Sequence, residues 1–169
     1  MDKKVATLLN EQVNKEFFSA YLYLSFANYF ENEGLSGFAN WYVVQAQEER
    51  DHAMLIVKYL QNNEVKVILE AIEKPENTWD DELTVLKAGL EHEKFITDSI
   101  NTIYATALEV KDFRTTQFLD WFIKEQGEEE TNANDLINKA QLIGKGGKGL
   151  YMLDQELGSR TYTAPSLVL

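Results

Sequence analysis

The chain has 169 residues, 44% of them hydrophobic, with 28 acidic against 16 basic side chains and a formal net charge of -12. That length suits one domain with a true core, and that apolar content argues against a disordered acidic chain. The acidic balance makes nucleic acid a poor partner, and the absence of cysteine removes disulfides, thiolate metal sites and cysteine nucleophiles.

Met1-Asp2-Lys3-Lys4 runs straight into an amphipathic pattern rather than an apolar leader. No apolar stretch is long enough to cross a bilayer, so a soluble, cytoplasmic protein without a membrane partner is expected. Apolar residues at helical spacing predict a first helix from about Val5 to Glu33, ended by Gly34-Leu35-Ser36-Gly37. Gly34 suits the left-handed residue after a helix, and Ser36 is placed to cap the next one. The second helix is expected from about Gly37 to Asn62. From Glu64 to Thr78 the chain is too long for a tight turn and too apolar for a free linker. It reads as a packed crossover along the bundle, broken at Pro75.

Thr78 is placed to cap a third helix, with Asp80, Asp81 and Glu82 favourable to its dipole, reaching about Leu108. Asp112 caps a fourth, extending to about Ile143. The glycine- and lysine-rich residues 144–149 read as a mobile hinge, followed by a short helix from about Leu150 to Leu157. An extended tail to Leu169 contains Pro165 and ends in apolar residues suited to docking. The whole is expected to be one all-α domain, residues 1–169. Four long helices of about 5–143 with one long crossover define a ferritin-like four-helix bundle, to which a short C-terminal helix is added.

The chemistry emerges when the inward stripes are written out. They are Leu9, Val13, Glu16, Ala20, Tyr23 and Ala27 on the first helix, and Phe38, Tyr42, Gln45, Glu49, His52, Ile56 and Tyr59 on the second. The third gives Leu86, Leu90, Glu93, Ile96 and Ile100, and the fourth Leu119, Phe122, Gln126, Glu129, Ala133, Leu136 and Ala140. Each apolar stripe is interrupted near its middle by an acid. Burying an unpaired carboxylate costs several kcal/mol even after relaxation, and converging acids raise one another's pKa. No lysine or arginine lies on these stripes, so a metal cation is the expected neutraliser. Carboxylates with one imidazole suit Fe²⁺, Mn²⁺ or Zn²⁺ better than Ca²⁺. Glu49 and His52, three apart, form a Glu-x-x-His pair; alone it is weak, but with single glutamates on three other helices it matches the di-metal carboxylate pattern. His92 lies a residue off the stripe and is expected to face outward or to support the site from behind. Tyr23 and Trp121 read as core packing.

The chain closely resembles prokaryotic non-haem ferritins along essentially its whole length. The resemblance rests on Ala46-Gln47-Glu48-Glu49 with His52, on Phe118-Leu119-Asp120-Trp121-Phe122, and on Glu125-Gln126-Gly127-Glu128-Glu129-Glu130. It implies that Glu16, Glu49 and His52 hold a first iron, and Glu93 and Glu129 a second, with Glu49 bridging. It places Gln126 beside the pair, near the oxidant, and Tyr23 and Trp121 as aromatic neighbours of the centre. A third iron site would use Glu48, Glu125, Glu128 and Glu129. The implied activity is a ferroxidase: Fe²⁺ is oxidised by O₂ or H₂O₂, and the ferric product is stored as mineral inside a homo-oligomeric cage of about 24 chains. Haem is not expected. Arg50 stands where haem-binding relatives carry methionine, and Glu125-Gln126-Gly127-Glu128-Glu129 lacks their second Glu-x-x-His. The residues leave three rivals open: a storage shell without fast oxidation, a small di-iron oxidase or peroxidase without a cage, and a metal-free helical interaction protein.

Overall fold

The computed structural model describes residues 1–144 and 147–167. Five helices follow one another: α1 (Lys3–Asn32), α2 (Ser36–Asn62), α3 (Glu82–Glu109), α4 (Phe113–Ile143) and α5 (Gly147–Leu157). α1 and α2 form one antiparallel hairpin and α3 and α4 another. Among the described residues no strand occurs, and no helix is long and apolar enough to cross a membrane.

The caps set where each helix starts. Asp2 accepts from Lys4 N at 2.8 Å, Asp81 from Thr84 N at 2.9 Å and Asp112 from Thr115 N at 3.2 Å, each satisfying an amide with no partner in its own helix. Two expected caps are corrected. Ser36 lies inside α2, whose first amides are instead met by a distant residue: Asp154 Oδ1 of α5 accepts from Gly37 N at 2.8 Å and Phe38 N at 3.1 Å. A Cβ on Gly37 would sit 1.7 Å from the Asp154 carbonyl oxygen, so the helices can close this far only over glycine. Thr78 does not open α3 either. Its amide and that of Asn77 are held by Glu76 Oε1 at 2.8 and 2.7 Å, and the helix waits for Asp81.

The crossover lies along α1 as expected, because α1 supplies polar side chains for its exposed backbone. Asn10 donates to Lys66 O and accepts from Ile68 N, Asn14 donates to the carbonyls of Glu70 and Ala71, and Ser25 donates to that of Glu76. The hinge expectation is only partly testable: Lys145 and Gly146 lie outside the described residues. Gly147, Lys148 and Gly149 already belong to α5, which starts three residues earlier than its apolar pattern predicts because glycines carry no stripe. After α5 the tail returns along α2 and α4, where Leu167 packs on the core and Trp121 Nε1 donates to Ser166 Oγ at 3.1 Å.

The core is divided. One apolar cluster gathers Tyr23, Phe26, Phe30, Phe38, Tyr42 and Leu86 with Leu153 and Leu157 of α5. The other gathers Leu9, Val13, Ile56, Leu60, Ile96, Ile100, Leu119 and Phe122. On every long helix the residues between the two clusters are the polar ones of the stripe. A polar layer therefore crosses the bundle at mid-height.

Candidate metal centre

Within that layer Glu16 is 1% exposed, Glu49 1%, His52 2%, Glu93 3% and Glu129 7%. No single helix could create this layer. Each contributes one turn of it, and antiparallel packing brings the four turns to one level.

Glu16, Glu49 and His52 are the tightest group: each offers a ligand atom, and these atoms lie within 4.8 Å of one another. His52 Nδ1 is 3.3 Å from Glu49 Oε2, and the rings of Trp121 and Phe122 pack edge-on against the imidazole. Glu93 and Glu129 stand on the facing hairpin, each restrained by neutral partners. Tyr23 donates its hydroxyl hydrogen to Glu93, Gln126 Nε2 donates to Glu93 Oε2 at 3.0 Å, and Gln45 Nε2 donates to Glu129 Oε2 at 2.8 Å. The same Gln45 amide reaches Glu49 Oε1 at 3.1 Å, while Gln12 Nε2 donates to Glu16 Oε1 at 2.7 Å. Among the described residues Glu16 Oε2 is fully buried and accepts no hydrogen bond. Such an orphaned oxygen is expensive unless a cation meets it.

The electrostatics follow from burial without enough counter-charge. Burial, then the Glu49 charge, pushes Glu16 up to about 8. Burial with Glu49 and Glu129 nearby raises Glu93 well above the carboxylate range, and burial with Glu49 brings Glu129 to about 7. Burial opposes charge on His52, but Glu49, Glu16 and Glu129 outweigh it and lift the imidazole to about 10. Burial likewise opposes ionisation of Glu49, yet the adjacent His52 charge wins and leaves Glu49 lowered. The metal-free centre thus sets a Glu49 carboxylate beside a His52 imidazolium, with Glu16, Glu93 and Glu129 all shifted toward their protonated forms. A dication can take the place of those protons. The residues fit one.

The outer acids adjoin the centre on the side where His52 meets a surface cleft. Glu48 and Glu125 are half-buried and Glu128 is exposed. Together with Glu129 they line a cleft of about 300 Å³, whose far wall is Arg160 and residues 163–166 of the tail. His92 turns sideways rather than to solvent or metal: its Nε2 lies 2.8 Å from Ser19 Oγ, and Phe18, Tyr23 and Phe95 surround the ring. Three contributors were given no role by the sequence reading, although it placed Gln45 on the inward stripe of the second helix. Gln12 and Gln45 each stand one turn before an acid they hold, a repeated Gln-x-x-x-Glu spacing that was legible as a helical i, i+4 pair. Arg160 lies in the tail, and nothing in its local sequence signals that it returns to α2.

A helical bundle with a carboxylate and histidine group buried at mid-height is an arrangement that can hold metal. A profile of the ferritin-like domain matches residues 6–143. The bacterial non-heme ferritin of Campylobacter jejuni is 41% identical over 155 residues, covering 92% of this chain and 93% of that one. That of Staphylococcus aureus is 34% identical over 162 residues, covering 96% and 98%. Among solved structures, a closed form of Archaeoglobus fulgidus ferritin engineered by mutagenesis superposes with a TM-score of 0.95 at 42% identity, covering 96% of this chain and 99% of that one. The open-pore ferritin of the same archaeon gives 0.94 at 42% identity, covering 95% and 99%. The chain belongs to the ferritin family.

Proposed function

We propose that the chain oxidises Fe²⁺ at the mid-bundle centre and stores the ferric product inside a hollow assembly of its own copies, in the cytoplasm. Family membership supports iron storage as the general function. The observation that carries the finer reading is the buried set Glu16, Glu49, His52, Glu93 and Glu129, which among the described residues touches no lysine or arginine and leaves one Glu16 oxygen without a donor.

Glu16, Glu49 and His52 bind one Fe²⁺, while Glu93 and Glu129 bind the second, with Glu49 between the two groups. Two metals held at a fixed separation can jointly supply electrons to O₂ or H₂O₂ and stabilise the charge that develops. The chain's own part is to fix the ligands and to exchange protons. Gln12, Gln45 and Gln126 donate to the carboxylates without adding charge, and so hold them in place without competing for the metal. Tyr23, sealed against Glu93 and the ring of Tyr42, is the aromatic group nearest to the second metal's ligands. Glu48, Glu125 and Glu128, with Glu129 reaching from the centre, form the third cation position. It opens toward the tail, where product moves on to the mineral.

Self-assembly is supported by the opposite face of the α1–α2 hairpin. Tyr21, Leu24, Val43 and Ile72 are 45–51% exposed and, with Phe17 and Arg50, line one groove of about 430 Å³. A lone chain rarely leaves so many large apolar groups together in water. A second copy of the hairpin would cover them, and about 24 copies would close a shell.

The test is anaerobic Fe²⁺ loading followed by mixing with O₂, with the assembly sized on the same sample. Rapid oxidation of two or three bound irons per chain, in a large particle that keeps accumulating iron, is the expected result. Fast oxidation in a small oligomer that stores nothing would make the chain a di-iron oxidase. A large particle without a fast phase would make it a storage shell.

A further inference from the structure

Arg160 stands three residues beyond α5 and folds back across the bundle to the outer acids. Its Nη2 lies 2.5 Å from Glu48 Oε2, with the two side chains only 16% and 17% exposed. The guanidinium is held from several sides. Nη1 donates to Gln45 Oε1 at 2.9 Å and to Trp41 O at 3.3 Å, and the group stacks 4.1 Å from the Trp41 ring centroid. Asn40 Nδ2 donates to the Arg160 carbonyl at 3.0 Å, which pins the backbone as well. The other base near these acids, Lys124, reaches Glu128 at 3.4 Å with both partners largely exposed, where an ion pair is weak.

We propose that Arg160 is a built-in counterion of the outer acid cluster, which leaves Glu48 when a divalent cation binds there and so holds that site's affinity below that of the inner centre. This rests on the reading of Glu48, Glu125, Glu128 and Glu129 as a cation site. The inner acids have no such competitor: among the described residues Glu16, Glu49, Glu93 and Glu129 are contacted by Gln12, Gln45, Gln126, Tyr23 and His52, and by no guanidinium or ammonium group. At the outer cluster a dication meets a positive group already in contact with one of its ligands. Either the guanidinium moves or the two cations repel one another at short range. Trp41 and Gln45 give it a place to rest once it lets go of Glu48.

Arg160 also reaches the inner centre through one amide. With the Gln45 carbonyl engaged by Arg160, the Gln45 amino group must face Glu49 and Glu129, the two acids it does contact. The same side chain thus orients an inner support while it occupies an outer ligand, which makes it a positioning residue for the first and a competitor at the second.

The experiment is an anaerobic Co²⁺ titration of the assembled metal-free protein, read by absorbance and calorimetry, on the wild type, Arg160→Gln, Arg160→Lys and Glu48→Gln. A crystal structure of the Co²⁺-loaded wild type accompanies it. Losing the competing charge is expected to tighten the weakest site by about tenfold, the effect of a partly buried ion pair. Arg160→Lys, which keeps the charge, is expected to stay near the wild type, and Glu48→Gln to lose that site. In the loaded crystal, Arg160 is expected to be clear of Glu48. Unchanged or weaker outer binding in Arg160→Gln, or Co²⁺ at the outer site with Arg160 still on Glu48, overturns the proposal and leaves the outer site standing. Absence of a third Co²⁺ in both wild type and Arg160→Gln overturns the outer-site reading itself, and the proposal with it.

Discussion

Glu48 and Glu49 are adjacent in the chain, yet they serve clusters that balance their charge by different means. Glu49 points into the core, where its partner is the His52 imidazolium and the neighbouring acids Glu16 and Glu93 are shifted toward their protonated forms. Glu48 points toward the tail, where its partner is a guanidinium that never loses its charge. A proton-balanced site exchanges its charge for metal in place, as protons depart to solvent. An arginine-balanced site exchanges charge only by moving a side chain. On the proposed function the inner centre would be occupied tightly and first and the outer cluster more weakly and later, although Glu48 and Glu49 are neighbours on one helix turn.

The sharpest way to break this contrast is to remove Glu49, the acid that the proposed function puts between the two metal positions. Glu49→Ala is expected to slow fast Fe²⁺ oxidation by at least about 100-fold in stopped-flow mixing with O₂, because both irons lose a ligand together. Wild-type initial rates in that variant would sink the assignment of Glu49 as the bridge.

Proton balance gives the next test. At pH 7 His52 at about 10 and Glu16 at about 8 hold protons in the metal-free chain, and burial with Glu49 and Glu129 shifts Glu93 in the same direction. Filling the centre with Zn²⁺ is expected to release at least about two protons per chain, those of His52 and Glu16, measured with a pH indicator in weak buffer. Release near zero would contradict a proton-balanced centre. The same groups fix the sign of stability against pH. Both Glu16 and His52 bind protons more tightly folded than unfolded, so what they add is complete below 4.5 and 6.5 respectively and is lost as pH rises through about 8 and about 10. The metal-free protein is expected to melt at a lower temperature at pH 9 than at pH 6, and the metal-bound protein to lose less over that interval.

The division between the clusters also explains what could be read from the sequence. Glu16, Glu49, His52, Glu93 and Glu129 were legible because each interrupts an apolar stripe, and a helix repeats its faces every three to four residues. Burial of all five follows from that periodicity alone. The outer cluster had no such signal: Glu48, Glu125 and Glu128 sit off the stripes and came from resemblance. Arg160 could not be found either way, because its partners lie more than a hundred positions earlier and only the path of the tail brings them together. Ser36 failed as a cap for the same reason, because Asp154 from α5 meets the first amides of α2, whereas Thr78 lost locally to Asp81, three residues on.

A smaller effect is expected where the two clusters touch. Gln45 donates to Glu49 and Glu129 and accepts from Arg160, so Gln45→Leu removes an inner support and leaves the guanidinium short of one acceptor. Partners that orient metal ligands typically contribute 10–100-fold in affinity, and here a loss of about tenfold is expected for the second inner metal in an anaerobic titration. A loss confined to the outer metal would place Gln45 wholly in the outer cluster.

The smallest effect on the fast step belongs to Glu125, and its smallness is what separates the clusters. Glu125 lines the outer cleft but makes no hydrogen bond to Glu16, Glu49, His52, Glu93 or Glu129 among the described residues. It feels the inner centre only through charge: burial raises its pKa, the His52 charge lowers it and Glu128 raises it again. Glu125→Ala is therefore expected to leave the initial oxidation rate within about twofold, while the slower phase that follows changes as the third metal is lost. Complete loss of the fast phase would move Glu125 into the primary centre and merge the two clusters into one. A slow phase unaltered alongside a normal fast phase would show that iron leaves the centre by a route that avoids the outer cleft.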